Sequence, residues 1–189
     1  MKLISQGAEA VIYLENNHII KKRIKKRYRI EQLDIFLRAS RTRKEAKLLS
    51  EARRIGINTP VVYNVDKFSI TMEFINGKKF AFEKNVENYC RILGESVSKL
   101  HKYNITHGDL TTANILIKNR KLYFIDFGLG METKNIEQKA ADLLTLYQNF
   151  KTIFPDKELW PLFIKGYRNK NTIEILNRFD KVLSRKRYL

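Results

Sequence analysis

One cysteine, three prolines and eight glycines among 189 residues set the first limits. A lone thiol, Cys90, cannot form an intrachain disulfide and leaves no Cys-rich metal site. That suits a reducing cytosol, and a cytoplasmic location is expected. With so little Pro and Gly, and no Gly/Ser-rich stretch, no flexible linker separates two independent halves. No run of about 18 apolar residues occurs, so no membrane-spanning helix is expected. The opening MKLISQGAEA has neither an apolar segment nor a cleavage signature, so no secretory leader is expected. Nothing repeats at a solenoid period. Acidic residues are also scarce: 20 Asp+Glu stand against 37 Lys+Arg, a net charge of +17.

What is present points to a packed, basic protein. A hydrophobic fraction of 43%, with 9 Tyr and 11 Phe, supplies a core, and the length fits one domain or two small lobes sharing a cleft. A field of this sign favours polyanions, nucleic acid before membrane, because neutralised phosphates release counterions. The charge is concentrated in KKRIKKRYR, Lys21 to Arg29, and in the tail at Arg185, Lys186 and Arg187. The bland reading is a solvated face, with the tail favouring its own helix C-terminus.

Along the chain, Leu3–Ile4, Val11–Leu14 and Ile19–Ile24 read as strands, with Asn16-Asn17 as a turn. Helical patterns follow at Glu31–Arg38 and Arg41–Ile55, the second capped by Gly56. Val61–Val65 and Ser69–Phe74 read as a hairpin. Asn76-Gly77 breaks the chain there. Asn85–Tyr103 carries an apolar stripe, and Ile115–Ile117 and Leu122–Ile125 form a hairpin around Asn119-Arg120. Helices are expected over Ile136–Phe150, Asp156–Tyr167 and Thr172–Arg187. Strands first and helices after give an α+β, bilobal expectation, with lobes over residues 1–76 and 77–189.

The chemistry lies in His107-Gly108-Asp109-Leu110-Thr111-Thr112-Ala113-Asn114 and in Asp126-Phe127-Gly128 after the hairpin. Phosphoryl transfer needs a carboxylate near the acceptor oxygen and oxygen ligands for magnesium between phosphates. Asp109 supplies the first; Asn114 and Asp126 converge as the metal ligands. Gly128 allows a sharp turn beside the ion. The alternative is that Asp109 and Asn114 cap a helix while Asp126 ends a strand.

The order of elements resembles the protein-kinase superfamily, and the details resemble the PRPK family, the small atypical kinase of the KEOPS complex. The residues are Gln6-Gly7-Ala8-Glu9-Ala10, Lys26-Arg27-Tyr28-Arg29 with Leu33-Asp34, Arg43-Lys44-Glu45-Ala46, and the HGDLTTAN and DFGLG blocks. RIO kinases share the atypical character but fit these blocks less well. The resemblance implies a minimal kinase-like fold using ATP and Mg2+. Lys21 takes the place of the strand lysine on the phosphates and Glu45 that of its helix partner; Lys22 and Lys25 remain rivals, with strand alternation placing Lys22 on the opposite sheet face from Lys21. Gly7 belongs to the phosphate loop, where Ser5 or Glu9 would contact the nucleotide or close the loop. Glu73 and Phe74 would meet adenine, with Ile4, Val11 and Ile19 around the ring. Asp142 would brace the catalytic-loop backbone. The implied activity is serine/threonine phosphorylation or ATP hydrolysis in support of threonylcarbamoyladenosine formation. The implied partners are tRNA, the ATPase-fold subunit of KEOPS and the small subunit docking on the N-lobe. In some archaea this kinase is fused to the ATPase-fold subunit.

Departures from ordinary protein kinases narrow the reading. The phosphate loop has one glycine, Gly108 stands where arginine reads an activation-loop phosphate, and Thr111 replaces lysine. Only the thirteen residues Leu129–Ala141 separate Gly128 from Asp142, too few for an activation segment or a peptide platform. The alternatives are a small-molecule phosphotransferase, which needs extra helices that 189 residues hardly accommodate, and a catalytically weak scaffold and RNA-binding pseudokinase.

Overall fold

A computed structural model describes residues 1–186, with side chains through Arg185. Its first half is a five-stranded antiparallel sheet in the order β1-β2-β3-β5-β4. The strands are β1 (Lys2–Gln6), β2 (Ala10–Glu15), β3 (His18–Arg23), β4 (Val62–Val65) and β5 (Ser69–Glu73). Asn16 and Asn17 both adopt positive φ (47° and 62°), the backbone a tight β2–β3 turn demands and asparagine tolerates.

Between β3 and β4 runs a single helix, α1 (Glu31–Arg54), where the sequence pattern suggested two. Ala39 and Ser40 join them, and neither glycine nor proline is present to interrupt the hydrogen-bond ladder. Gly56 ends the helix at φ +81°, with the Ile57 N–H reaching back to the Ala52 carbonyl at 3.0 Å.

The second half is helical around small sheets. Helix α2 (Glu87–Lys102) leads through β7 (Ile105–Thr106) to the HGDL loop. Strands β6 (Lys78–Lys79), β8 (Ile115–Lys118) and β9 (Lys121–Phe124) form a sheet in the order β6-β8-β9. Strand β10 (Met131–Glu132) pairs with β7, and α3 (Ile136–Ile153), α4 (Leu159–Tyr167) and α5 (Ile173–Lys186) follow. Asn135 caps α3 by accepting the Glu137 N–H at 2.8 Å.

Helices α2 and α4 cross backbone to backbone. A Cβ on Gly94 would lie 2.1 Å from the Phe163 carbonyl oxygen, and one on Gly166 would lie 1.9 Å from that of Arg91. Around this crossing Leu93, Val97, Phe163, Tyr167 and Phe179 are buried, and Trp160 stacks on Phe163. Cys90 lies in the same core; burial pushes its thiol up to about 12, so it stays protonated and inert. Among the described residues, no helix is long and apolar enough to cross a membrane.

Candidate functional site

Strand alternation sorts the basic cluster. Lys21 and Arg23 point to one face of β3 and are 6% and 5% exposed, whereas Lys22 faces solvent. Lys25 is exposed and pairs with Glu31, so neither rival to Lys21 enters the site. From α1, the buried Glu45 meets both cations: Lys21 Nζ lies 2.6 Å from Oε1, and Arg23 Nη2 lies 2.6 Å from Oε2. Lys21 Nζ also lies 2.6 Å from Asp126 Oδ1. Burial pushes the Glu45 carboxyl up and the Asp126 charge adds to it, against the pull of Lys21 and Arg23. For Asp126 burial opposes ionisation most strongly, yet the Lys21 charge, its hydrogen bond and the Gly128 N–H together hold the carboxyl below its usual value.

Arg23 is absent from the sequence-derived set. The period-2 alternation that excludes Lys22 also puts Arg23 beside Lys21, so its signal was there to use.

The HGDL loop is held from below. Asp142 on α3 accepts the His107 N–H at 2.6 Å and the Gly108 N–H at 2.8 Å. The His101 ring, itself bonded to the Tyr167 hydroxyl, lies 3.3 Å from the same carboxylate. Two turns further along α3, Asn149 accepts both the N–H and the hydroxyl of Thr112, at 2.8 and 2.7 Å. Sequence reasoning missed Asn149; its spacing of seven from Asp142 places both on one helix face. Asn114 donates its side-chain amide to the Asp109 carbonyl and carboxylate, which leaves its own carbonyl oxygen free of that contact.

Asp126 itself takes a left-handed backbone, φ +63°. The turn closes as the Gly128 N–H reaches Asp126 Oδ1 at 3.2 Å. A Cβ on Gly128 would lie 2.9 Å from that oxygen and 3.3 Å from Arg23 Nη2, so the turn packs on the ion cluster. The next residues are fastened to the HGDL loop by β7–β10 pairing. Gly108, at φ +79°, has the Leu129 carbonyl oxygen 2.1 Å from where its Cβ would lie. Its lack of a side chain is thus a packing requirement as well as the loss of an arginine.

A cleft of about 300 Å³ is lined by Gly7, Lys21, Arg23, Asp109, Asp126 and Gly128, among others. Gly7 needs no positive φ, and its Cβ would meet only the Ala10 carbonyl at 3.8 Å. The loop around it is tied back: Arg41 pairs with Glu9 at 2.8 Å, and Lys26 donates to the Ala8 carbonyl. Ser5 and Glu9 line the cleft. None of the apolar candidates Ile4, Val11 and Ile19 is in this lining, where Ile12 stands instead, and Ile4 is 47% exposed on the edge strand.

Glu73 and Phe74 stand outside that lining. The Glu73 N–H donates to the Val61 carbonyl at 2.8 Å, and its carboxylate accepts the Val61 N–H at 3.2 Å. The Glu73 N–H is therefore engaged by Val61, so an adenine contact here would have to use other backbone groups around Glu73 and Phe74. That engagement follows from β4 lying next to β5, a pairing that the hairpin itself predicts.

Asn114 supports Asp109 from outside the cleft lining. Arg185 is exposed near the end of α5, Lys186 is its last residue, and Arg187 lies outside the described residues. In the other basic block, Lys26 N–H is anchored on the buried Asp34 at 3.0 Å, while Arg27 and Tyr28 face solvent.

A sheet-plus-helix pair in front, a helical half behind and an ion cluster between them define a protein-kinase-like fold. The chain is similar to the Rio2 kinase in its ADP/Mg2+-phosphoaspartate complex from Chaetomium thermophilum, with TM-score 0.69 over 100% of this chain and 72% of that one, at 13% identity. The chain belongs to the RIO domain family, which it matches over residues 9–156. It is 42% identical, over 97% of its length, to a probable bifunctional tRNA threonylcarbamoyladenosine biosynthesis protein of Methanosphaera stadtmanae. The protein of the same name from Methanosarcina barkeri is 38% identical over 99% of the chain. The chain spans 36% of the length of each.

Proposed function

We propose that this chain binds ATP with magnesium and moves the terminal phosphoryl group, to a serine or threonine hydroxyl or to water. We propose further that it does so as the kinase-like part of a KEOPS-type assembly supporting threonylcarbamoyladenosine formation on tRNA. The observation that carries the reading is Lys21 Nζ shared between Glu45 and Asp126, 2.6 Å from each, in a cleft that Asp109 also lines. The names of relatives that match nearly the whole chain support the pathway.

In this reading Glu45 fixes the Lys21 ammonium toward the nucleotide phosphates, and the loop at Gly7 covers them. The Asp126 carboxylate, held ionised, and the Asn114 carbonyl oxygen are hard donors that suit magnesium. Among the described residues no cluster of three His, Cys, Asp or Glu could hold a metal alone, so phosphate oxygens and water would complete its shell. Bound there, magnesium supplies neutralisation of phosphate charge. Asp109, oriented by the Asn114 amide, accepts the proton of the attacking hydroxyl or positions a water. Asp142 and Asn149 keep that loop rigid. The lobes divide between residues 1–76 and 77–189. The open cleft, the tRNA-modifying relatives and the basic blocks support an ATPase-fold partner, a small subunit on the first lobe and tRNA as the assembly's components.

The test is ATP turnover by the isolated chain with and without magnesium, then with tRNA and the ATPase-fold partner added. Asp109→Ala is expected to lower turnover by about 10²-fold or more, the scale of a general base. Asp126→Ala is expected to abolish the magnesium-dependent part. Unchanged turnover in either variant sinks the assignment.

A further inference from the structure

Glu45 carries two cations, yet only one of them is shared. Lys21 divides its ammonium between Glu45 Oε1 and Asp126 Oδ1, 2.6 Å from each. Arg23 has Glu45 Oε2 alone, also at 2.6 Å. All three members of the Lys21–Glu45–Arg23 triad are nearly inaccessible, at 6%, 1% and 5% exposure. The two oxygens of one carboxylate therefore serve different neighbours from the same strand face.

Arg23 is built into its place from both ends. Its N–H donates to the Phe68 carbonyl at 2.8 Å, and Ala10 lies across the β2–β3 ladder from it. Its Nη2 would lie 3.3 Å from a Cβ on Gly128, so it also packs beneath the turn that carries Asp126. Its Nε is buried with no hydrogen-bond partner. A donor left unpaired in the interior costs stability, so core packing alone does not account for a guanidinium at this position.

We propose that Arg23 is a positioning residue that anchors Glu45, and through it helix α1, independently of Lys21. The inference rests on the ATP reading only for its catalytic consequence. Lys21, Arg23, Glu45 and Asp126 balance to zero charge among themselves. When the Asp126 carboxylate is engaged elsewhere, Glu45 still holds a full countercharge in Arg23. Lys21 is then free to turn to a phosphate without releasing α1. A one-cation arrangement lacks that freedom, because the lysine that meets the phosphate is the same group that holds the helix.

Hydrogen exchange of the α1 segment around Glu45 reads the anchor directly, without any nucleotide. Lys21→Ala is expected to leave that protection at the wild-type value and to weaken ATP binding at least tenfold. Arg23→Gln is expected to lower the protection at least tenfold and to lower the turnover number tenfold, with the KM for ATP changed less than threefold. Arg23→Lys should recover part of both. In a double-mutant cycle, Arg23→Gln combined with Glu45→Gln should be no worse than either alone. Equal loosening of α1 by Lys21→Ala and Arg23→Gln overturns the proposal, as do additive losses in the cycle. If Arg23→Gln does not fold, Arg23→Lys decides: intermediate protection upholds the anchor and wild-type protection overturns it. A wild-type chain that binds no ATP, with the exchange asymmetry intact, refutes the ATP reading and leaves the anchor standing.

Discussion

Asn114 donates one side-chain amide to two acceptors on Asp109, the main-chain carbonyl at 2.9 Å and the carboxylate at 2.8 Å. This fixes the Asp109 rotamer before any substrate arrives, the preorganisation that its proposed role as base or water-positioning group would require. Asn114→Leu removes both bonds at similar volume. It is expected to lower ATP turnover at least tenfold and to raise the magnesium concentration needed for half-maximal rate. A rate loss with an unchanged magnesium requirement would confine Asn114 to orienting Asp109.

Gly108 is the position least tolerant of a side chain near the site. Its φ of +79° and the Leu129 carbonyl 2.1 Å from its would-be Cβ act together. Gly108→Ala should cost more than about 2 kcal/mol, strained backbone plus displaced neighbour. Urea unfolding checks this as a lower midpoint at unchanged slope. An unchanged midpoint refutes the close approach.

Gly7 makes the opposite case. Without positive φ, and with open space beyond it, Gly7→Ala should alter unfolding stability by less than about 0.5 kcal/mol. ATP affinity should nevertheless fall, because the methyl group occupies the cleft. Equal affinity in a fluorescent-nucleotide titration would remove Gly7 from the nucleotide contacts.

His107 gives the fold a pH dependence. Its Nε2–H donates to the Ile125 carbonyl at 3.0 Å, while Nδ1 is buried with no partner. Burial, outweighing Asp142 and Asp126, holds the imidazole below the ordinary value of 6.5. Above about 6.5 both folded and unfolded chains carry it neutral, and its contribution to stability is complete. As pH falls through the unfolded value toward the folded one, only the unfolded chain takes up the proton, so stability drops by at most about 1.4 kcal/mol per unit. The difference in unfolding free energy between about pH 7.5 and 5.5 should shrink in His107→Gln. An equal difference in both proteins would assign the slope to other groups.

The basic tail is tested through salt. Replacing Arg185, Lys186 and Arg187 together with Glu should weaken tRNA binding and flatten its dependence on salt by about one unit per lost phosphate contact. Identical affinity and slope would exclude the tail as a phosphate contact.

Much of this arrangement was legible in the sequence because it rests on local chemistry. Asp109, Asn114 and Asp126 announce themselves by residue type and spacing, and Asn16-Asn17 and Asn119-Arg120 take the positive φ their turns require. Alternation along β3 separated Lys21 from Lys22 in advance. What escaped depends on distant partners. The two-residue strands β7 and β10 exist only because Thr106 and Met131 meet across the fold, and no local pattern encodes that. Asn149 is one of many polar residues on α3 until Thr112 is brought against it. The place of Glu73 on β5 was clear, but the bond from its N–H to the Val61 carbonyl depends on the chain beside it. Arg23 is the instructive omission, since a dense basic run reads as solvated surface, and burial depends on a carboxylate supplied by α1.

The glycine crossing of α2 and α4 has a bearing on how this chain can change. Each residue added to or removed from a helix turns everything beyond it by about 100°. A single insertion between Glu87 and Gly94, or between Leu159 and Gly166, would swing a side chain into a gap that holds main-chain atoms only. Exposed side chains on these helices, such as Ile92, are free to vary in size; the helical phase of the two glycines is not. The helical half is thus phase-locked, and variation in its length is confined to the loops.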